Sequence, residues 1–245
     1  AMTAVARSII SLGGTYTVGA SGNYQTITAA VVAANNATCI TAPVVFSLID
    51  TSYTTGETFP ITINANSQFN STNTLTIKPA SGVTATISGS SSSAIFRINA
   101  ADYVTIDGTN SSTSNSVCPK TTATRNLSVA NTNIGSSGTA VIWLQSNGTD
   151  GATNNKIQNC NITGNAITTT VFGIGSADNA LSTSTSNGGK NSINNQFINI
   201  FYSKRFPQAI TMRRNFFFLK LRETHPKIRV PIIRFFLFKT KINRV

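Results

Sequence analysis

The sequence is poor in charged residues and in the side chains that most often carry catalysis or bind metals. Only 11% of the 245 residues are charged, compared with roughly 25% in typical globular chains. There is one histidine, His225, and the three cysteines form no CxxC pair or Cys/His cluster. Residues 1–200 therefore cannot hold a nucleophilic triad that uses histidine, and the same scarcity argues against a structural zinc site.

Cysteine occurs in an odd number, which excludes a fully paired disulfide framework within the chain. Cys160 alternates in phase with Ile162, so we expect its thiol to be free and buried as a small apolar group. A bridge between Cys39 and Cys118 is compatible with the count, and the sequence does not decide it.

Long apolar runs are also missing. No segment reaches the length of about 18 residues that a membrane-spanning helix needs. The first residues, AMTAVARSIISLGG, lack the successive charged, apolar and cleavage regions of a full signal peptide. Ser, Thr and Asn supply the polarity, which suits a β-rich extracellular surface. We therefore expect a secreted or cell-surface protein without a transmembrane segment.

Positive charge is abundant only at the C-terminal end. The formal net charge is +12, but twelve of the 19 Lys and Arg residues and one of the seven acids lie in residues 201–245. The nearly neutral remainder gives no electrostatic reason to expect nucleic acid as a partner. The Phe-rich tail is interpreted either as a cationic segment that contacts a membrane surface or, as we favour, as the product of a shifted reading frame near Ile200.

Short runs of alternating apolar and polar residues recur along the rest of the chain. They are rich in β-branched residues and bounded by Asn, Ser, Thr or Gly, which predicts β-strands. Clear examples are NTLTIK, AIFRIN, DYVTIDG, RNLSVAN, NNKIQNCNITG and NNQFINI. Pro43–Asp50, PVVFSLID, is almost continuously apolar instead, which predicts a strand buried on both faces.

One helix is predicted, within Ser21–Ala37. Asn23 is a suitable N-cap, and an apolar stripe has helical spacing at Ile27, Ala30, Val31 and Ala34. A lone helix in front of many strands would cover the open edge of a sheet. We divide the chain into a lead-in strand (1–20), a capping helix (21–37), parallel coils of strands (38–200) and the basic aromatic tail (201–245).

Two all-β architectures compete. A β-sandwich needs hairpins, but the Asn-Gly pairs at Asn147 and Asn187 lie in longer polar loops. A parallel β-helix explains the Asn residues at strand edges, since Asn tolerates the left-handed backbone of corners. We therefore predict an all-β, right-handed parallel β-helix, a solenoid of uneven repeats with a short N-terminal capping helix.

The segments SGNYQTITAAVVAA, ADYVTIDG and NNKIQNCNITG resemble the pectin-lyase-like superfamily of right-handed β-helices, and most closely bacterial secreted or surface β-helix repeat proteins. The first segment is also similar to the opening of pectin methylesterases, S-G-(D/N)-(F/Y)-x-T-I-x-x-A-(V/I), through Ser21, Gly22, Asn23, Tyr24, Thr26, Ile27, Ala30 and Val31. The catalytic motifs of the family's esterases, lyases and hydrolases do not occur here, so the resemblance implies a fold and no chemistry.

Sugar chemistry needs paired carboxylates. The best catalytic candidates are Asp107, Arg125 and Asp150, which would meet if they were stacked on successive coils, although both Asp-Gly pairs are equally typical of turns. Asp50 and Glu57 flank the turn TSYTTG and could bind a calcium ion together with backbone carbonyls. No other metal site or cofactor is predicted.

Tyr103 and Trp143 are candidates for carbohydrate binding, because the C–H faces of sugars pack on aromatic rings. Trp143 alternates in phase with Val141, which favours burial instead. We expect a structural or adhesive scaffold that binds polysaccharide or other cell-surface components. The alternative is a polysaccharide-active enzyme of the esterase, lyase or hydrolase type, with its catalytic coil degenerate or missing.

Overall fold

The computed structural model describes residues 9–110, 124–135, 138–165, 170–181, 192, 194–202, 208–211 and 219–220. Within these ranges the chain forms one helix, α1 (Ile27–Asn36), and seventeen strands. The strands are β1 (Ser11–Val18), β2 (Cys39–Leu48), β3 (Ser52–Tyr53), β4 (Ile61–Asn64), β5 (Leu75–Pro79), β6 (Ala85–Gly89), β7 (Phe96–Asn99), β8 (Val104–Asp107), β9 (Leu127–Asn131), β10 (Thr139–Gln145), β11 (Lys156–Gln158), β12 (Cys160–Gly164), β13 (Thr170–Ala177), β14 (Gln196–Ile198), β15 (Phe201–Tyr202), β16 (Gln208–Thr211) and β17 (Leu219–Lys220).

These strands build three sheets in which every described pair is parallel. Sheet A has the order β1-β2-β5-β8-β11-β14-β17, sheet B the order β3-β6-β9-β12-β15, and sheet C the order β4-β7-β10-β13-β16. From β2 onward the chain visits sheets A, B and C in strict rotation, and we call each such trio a layer. The protein is therefore all-β with parallel sheets, and the hairpins that a β-sandwich needs do not occur among the described strands.

The core runs along the stack between the three sheets. One column in sheet A is formed by residues that pair in register and are almost completely buried: Phe46, Ile77, Ile106, Ile157 and Phe197. Burial of a large apolar side chain contributes about 1.5–3 kcal/mol as an upper estimate. Stacking of like residues along the column therefore holds successive layers together.

The strand predicted to be buried on both faces is buried on one. In β2, Val44, Phe46 and Leu48 are fully buried, whereas Val45 and Ser47 between them are half-buried. That prediction is wrong because the sheets form a single shared core, so each strand presents only alternate residues to it.

The predicted helix is present, and its apolar stripe of Ile27, Ala30, Val31 and Ala34 is buried as expected. The N-cap is Thr26, whose side chain accepts a hydrogen bond from Ala29 N at 3.0 Å. The predicted cap, Asn23, lies further upstream and accepts from Thr17 N at 2.8 Å. Asn23 thus terminates β1, and the helix begins later than the sequence suggested.

The run NNKIQNCNITG is two strands, although its alternation predicted one. Asn159 lies between β11 in sheet A and β12 in sheet B, with a φ of 56°. Asn tolerates this left-handed backbone, so the chain turns here from one sheet to the next, and the apolar alternation changes phase between Ile157 and Cys160. Asn199, with a φ of 53°, makes the same corner between β14 and β15.

The basic tail is described only in part. Phe201–Tyr202, Gln208–Thr211 and Leu219–Lys220 pair as strands with β12, β13 and β14. The rest of residues 201–245 lies outside the described residues, and so do the interpretations placed on it. In the part of the chain that the structure describes, no helix has the length and apolar character needed to cross a bilayer.

Candidate functional site

Two rows of residues flank sheet A. The leading corner consists of Tyr103, Asn154 and Asn194, each two residues before the positions Thr105, Lys156 and Gln196 that pair in register. All three have left-handed backbones, with φ of 58°, 56° and 57°. Asn adopts this conformation readily, whereas it is unfavourable for a bulky aromatic residue. Tyr103 is therefore held in a conformation that its own chemistry disfavours.

Neighbouring layers hold the backbone of Tyr103 from both sides. Its N–H donates to Thr153 O at 3.2 Å, and its carbonyl accepts from Leu75 N at 3.2 Å. The carboxylate of Asp102 accepts from both the N–H and the hydroxyl of Thr153, at 2.7 and 2.5 Å. The strained corner is thereby fixed between the layer before it and the layer after it.

Buried asparagine side chains complete this clamp. Asn155 Oδ1 accepts from Val104 N at 2.8 Å, and Asn155 Nδ2 donates to Ala101 O at 2.9 Å. Asn155 N in turn donates to Asn195 Oδ1 at 3.0 Å. The side-chain amides therefore make the hydrogen bonds that peptide groups make elsewhere in the sheet, at the place where the chain bends away from it.

A groove with a volume of about 360 Å³ lies over the leading corner, and its main lining residues are Ser71, Tyr103, Asn154, Lys156, Asn194 and Gln196. These residues lie in or just before β5, β8, β11 and β14, four neighbours in sheet A. Since neighbouring strands are about 4.8 Å apart, the groove extends over about 14 Å along the stack. Its described lining residues offer amide, hydroxyl and ammonium groups beside one aromatic ring, and none of them is a carboxylate.

The trailing corner, on the opposite flank of sheet A, consists of Gly108, Asn159 and Asn199. Here Asp107 is only 8% exposed and accepts four hydrogen bonds. The donors are Thr109 N and Thr109 Oγ1 at 3.0 Å each, Gln158 Nε2 at 2.8 Å and Asn159 Nδ2 at 2.9 Å. These bonds engage both carboxylate oxygens, as expected for a structural carboxylate.

Arg125 belongs to the same corner as Asp107 and is linked to it through two amides. Arg125 donates from its guanidinium to Asn199 Oδ1 at 2.7 Å, and Asn199 Nδ2 donates to Asn159 Oδ1 at 2.9 Å. The guanidinium also lies over the ring of Phe201, 5.5 Å from its centroid. The structure thus brings two of the three catalytic candidates to one corner, joined by side chains that have no acid–base function.

Asp150 lies elsewhere. It is exposed in the turn after β10, where its N–H donates to Asn147 Oδ1 at 3.2 Å and its carbonyl accepts from Asn147 N at 2.9 Å. This turn precedes sheet A, whereas Asp107 is the last residue of β8 within that sheet. The described hydrogen bonds of Asp150 all lie within the turn, and none joins it to Asp107 or Arg125.

Trp143 is 4% exposed, and its Nε1 donates to Ala177 O at 3.1 Å. It packs in a second apolar cluster, on the outer side of sheet C, with Ala94, Ala140, Phe172 and Ala177. The Arg97 guanidinium lies 5.9 Å from its ring centroid. Trp143 is buried, as its alternation with Val141 suggested. However, Val141 belongs to the central core and Trp143 does not. Of the two carbohydrate-binding candidates, only Tyr103 therefore faces a groove.

The two acids proposed to bind calcium both accept hydrogen bonds from the backbone. Asp50 accepts from Ala20 N at 2.7 Å. Glu57 accepts from Ile27 N at 2.6 Å and from Thr28 N at 2.7 Å, and so satisfies the start of α1. Among the residues that the structure describes, no group of three or more His, Cys, Asp or Glu side chains is placed to hold a metal ion.

The thiols of Cys39 and Cys160 are free. Cys160 is fully buried as expected, and burial raises the pKa of its thiol well above the usual range, with the nearby Asp107 carboxylate acting in the same direction. Cys118 lies outside the described residues, and so does the suggested bridge to it.

Of the groove's lining residues, sequence reasoning proposed only Tyr103 and missed the others, among them Asn154, Lys156, Asn194 and Gln196. A signal for them exists in the repeated Asn-Asn pair, since NNK and NNQ stand at equivalent positions before β11 and β14. The first Asn of each pair makes the left-handed corner. The side chain of the second points inward and hydrogen-bonds to the backbone.

Comparison of the chain with protein-family models, with characterised proteins and with solved structures finds no match in any of the three. The parallel sheets are compatible with the resemblance to the pectin-lyase-like superfamily, which stays a prediction. The geometry of the leading corner is therefore the basis for assigning a function.

Proposed function

We propose that the chain is a right-handed parallel β-helix that serves as an extracellular or cell-surface scaffold, with a structural or adhesive role, and that it binds an extended polysaccharide in the groove over the leading corner. Tyr103 would provide the ring on which a sugar packs. Asn154, Asn194 and Gln196 would bind sugar hydroxyls.

The winding of the chain supports the proposed helix. Each connection from a strand of sheet A through sheets B and C leads to the next parallel strand of sheet A. Connections between parallel strands of one sheet are right-handed in about 98% of known cases. A chain that repeats such a connection over successive layers would form a right-handed coil.

The single observation that carries the binding proposal is the strained backbone of Tyr103. Its two equivalents in the following layers are Asn, which meets the conformational demand at a lower cost. An unfavourable residue held in place by its surroundings points to a role for its side chain. Tyr103 lines the groove, where the most suitable use for its ring is stacking.

The shape and chemistry of the groove favour a carbohydrate chain over a compact ligand. The groove is open, extends over several layers and is lined by amides and hydroxyls with one aromatic ring. Sugars present hydroxyls at their rims and C–H groups at their faces, which match these two kinds of lining. The low charge of residues 1–200 is also consistent with a neutral surface for such contacts.

The test is retention on a panel of immobilised polysaccharides. It compares the native full chain with two variants of the full chain that are substituted at Tyr103. Tyr103→Phe keeps the ring and should retain binding. Tyr103→Asn keeps a residue suited to the left-handed corner but removes the ring, and it should weaken binding about tenfold, which corresponds to about 1.4 kcal/mol. Equal retention of both variants, or no retention of the native chain on any member of the panel, would contradict the proposal.

The enzymatic alternative is tested with the same panel by measuring released methanol, reducing ends and unsaturated uronides, with and without calcium. Among the residues that the structure describes, no pair of carboxylates lines the groove, whereas glycoside hydrolysis generally requires one. We therefore expect no release. Release that is abolished by Asp107→Ala or Asp150→Ala, in variants that remain folded, would instead establish an enzyme.

A further inference from the structure

The turn that leads from β10 towards the leading corner contains the pair Asn147-Gly148. Residues 147–150 are all exposed, and they lie between Ser146 and Gly151, which are buried. In any chain, the peptide nitrogen after an asparagine can close a five-membered ring on the side-chain carbonyl carbon. This attack is easiest where the next residue is glycine, because glycine has no β-carbon to obstruct it.

The turn holds the amide of Asn147 in a way that favours this attack. Asn147 Oδ1 accepts from Asp150 N at 3.2 Å, while Asn147 N donates to Asp150 O at 2.9 Å. A peptide N–H aimed at Oδ1 stabilises the negative charge that develops on this oxygen when Cγ is attacked. The backbone of the turn therefore makes the side-chain amide of Asn147 more electrophilic.

The attacking atom, Gly148 N, is accessible. None of the described hydrogen bonds uses the N–H of this exposed residue. Gly148 has a φ of 100°, and a β-carbon built on it would meet no atom within 4 Å. No neighbouring group has to move before the nitrogen can approach the Asn147 amide.

Asn70 provides a comparison within the same molecule. It is also exposed, and its Oδ1 accepts from two backbone groups, Thr72 N at 2.9 Å and Asn73 N at 3.0 Å. The residue after it is Ser71, however, which carries a β-carbon. The two turns thus share an activated amide and differ in the residue that supplies the attacking nitrogen.

Other asparagines are protected by their hydrogen bonds. Asn36 is exposed at the end of α1, but the N–H of the next residue, Ala37, donates to Ala34 O at 3.3 Å. Asn155 is 1% exposed, and both atoms of its amide are bonded. Among the asparagines that the structure describes, Asn147 is the one that is exposed, activated and followed by glycine.

We propose that Asn147 is a site of spontaneous modification, at which the chain converts its own asparagine into aspartate and isoaspartate. Gly148 N loses its proton and bonds to Asn147 Cγ, and the side-chain nitrogen leaves as ammonia. Water then opens the succinimide ring. Attack at Cγ gives aspartate, and attack at the main-chain carbonyl carbon gives isoaspartate, so that one water is consumed for each ammonia released.

The modification changes the turn and leaves the sheets in place. Both products add one negative charge next to Asp150, and isoaspartate also lengthens the main chain by one carbon atom. The flanks of the turn are fixed, because Ser146 N donates to Ala177 O at 3.1 Å and Thr153 N donates to Asp102 at 2.7 Å. The inference does not depend on the proposed glycan binding.

Peptide mapping by mass spectrometry tests the inference on the full chain after incubation in warm, mildly basic buffer. Conversion at Asn147 should be at least about tenfold faster than at Asn70, which corresponds to about 1.4 kcal/mol in activation free energy. The rate at Asn147 should rise with pH, because the attacking nitrogen must lose a proton. Mapping resolves Asn187-Gly188, which lies outside the described residues, as a separate site.

Two variants of the turn separate ring closure from other routes. Gly148→Ala places a β-carbon on the attacking residue and should slow conversion at Asn147 by at least about tenfold. Asp150→Asn is the matched control, since it removes a carboxylate from the same turn but keeps the N–H that contacts Asn147 Oδ1, and it should convert as the native chain does. Circular dichroism verifies that both variants are folded.

A synthetic peptide of residues 142–152 provides a measurement that requires no variant to fold. Conversion at Asn147 should be no slower in the folded chain than in this peptide, because the turn leaves the attack open. The inference is overturned by slower conversion in the folded chain, by a rate at Asn147 no higher than at Asn70, or by equal rates in Gly148→Ala and the native chain.

Discussion

The leading and trailing corners of sheet A are built from similar residues but differ in how completely their polar groups are used. At the trailing corner, Asp107 accepts four hydrogen bonds and the amides of Asn159 and Asn199 connect it to Arg125. At the leading corner, Tyr103 replaces one of the asparagines, and a groove lies over the row. Asn194 Nδ2 also donates to Asn154 Oδ1 at 3.3 Å, so both corners link layers, and they differ in that the leading one borders a groove.

The largest effect is expected for Asn159→Ala at the trailing corner. The substitution removes the short polar side chain whose local hydrogen bonding lets asparagine adopt a left-handed backbone, a conformation that costs other residues about 1–2 kcal/mol. It also removes one of the four hydrogen bonds to Asp107 and the acceptor of Asn199 Nδ2, which costs about 1–3 kcal/mol. We expect the free energy of unfolding to fall by about 3 kcal/mol in urea denaturation.

Asn159→Gly is the matched control, because glycine accepts the backbone conformation and removes the same hydrogen bonds. It should lose less stability than Asn159→Ala. A loss below about 1 kcal/mol for Asn159→Ala would show that the trailing corner does not hold the layers as described.

An effect of opposite sign is expected for Tyr103→Asn at the leading corner. Asn tolerates the left-handed backbone better than Tyr, so the free energy of unfolding should rise by about 1 kcal/mol while polysaccharide retention falls. The same denaturation series measures the change in stability. If Tyr103→Asn destabilises the protein as Asn159→Ala does, then the two corners have the same structural role and the contrast between them fails.

The smallest effect is expected for Asp150→Asn. The described hydrogen bonds of Asp150 come from its backbone, in an exposed turn. Removal of its charge should therefore change the free energy of unfolding by less than about 0.5 kcal/mol and leave retention unchanged. A larger change in either measurement would mean that this turn contributes to the groove.

Local pattern predicted most of the strands, because alternation of apolar residues is visible within a few positions. Ile157, Cys160 and Ile162 are all buried, but Ile157 and Cys160 are three residues apart, so the alternation changes phase between them. This change of phase marks the corner at Asn159, and reading the run as one strand overlooks it. The parallel pairing of Asn161 with Ser128, in contrast, depends on residues far apart in the chain, which no local pattern contains.

The candidate site was predictable only in part for the same reason. Tyr103 could be proposed from its chemistry, but Lys156 and Gln196 enter the groove through register between distant strands. Trp143 lies on the outer side of sheet C and is still buried, since Phe172 and Ala177 of the next strand pack beside it. Strand alternation assigns a residue to a face and does not reveal what covers that face.

The buried asparagine ladder also has a consequence for the order in which the chain can assemble. Asn155 Nδ2 donates back to Ala101 O, and Asn195 Nδ2 donates back to Ala152 O. Each of these amides finds its acceptor in the preceding layer, whereas Tyr103 N–H and Asn155 N–H find theirs in the following one. Since each layer contacts mainly its neighbours, as in repeat proteins generally, growth from the N-terminal end requires at each step only the next layer to be translated.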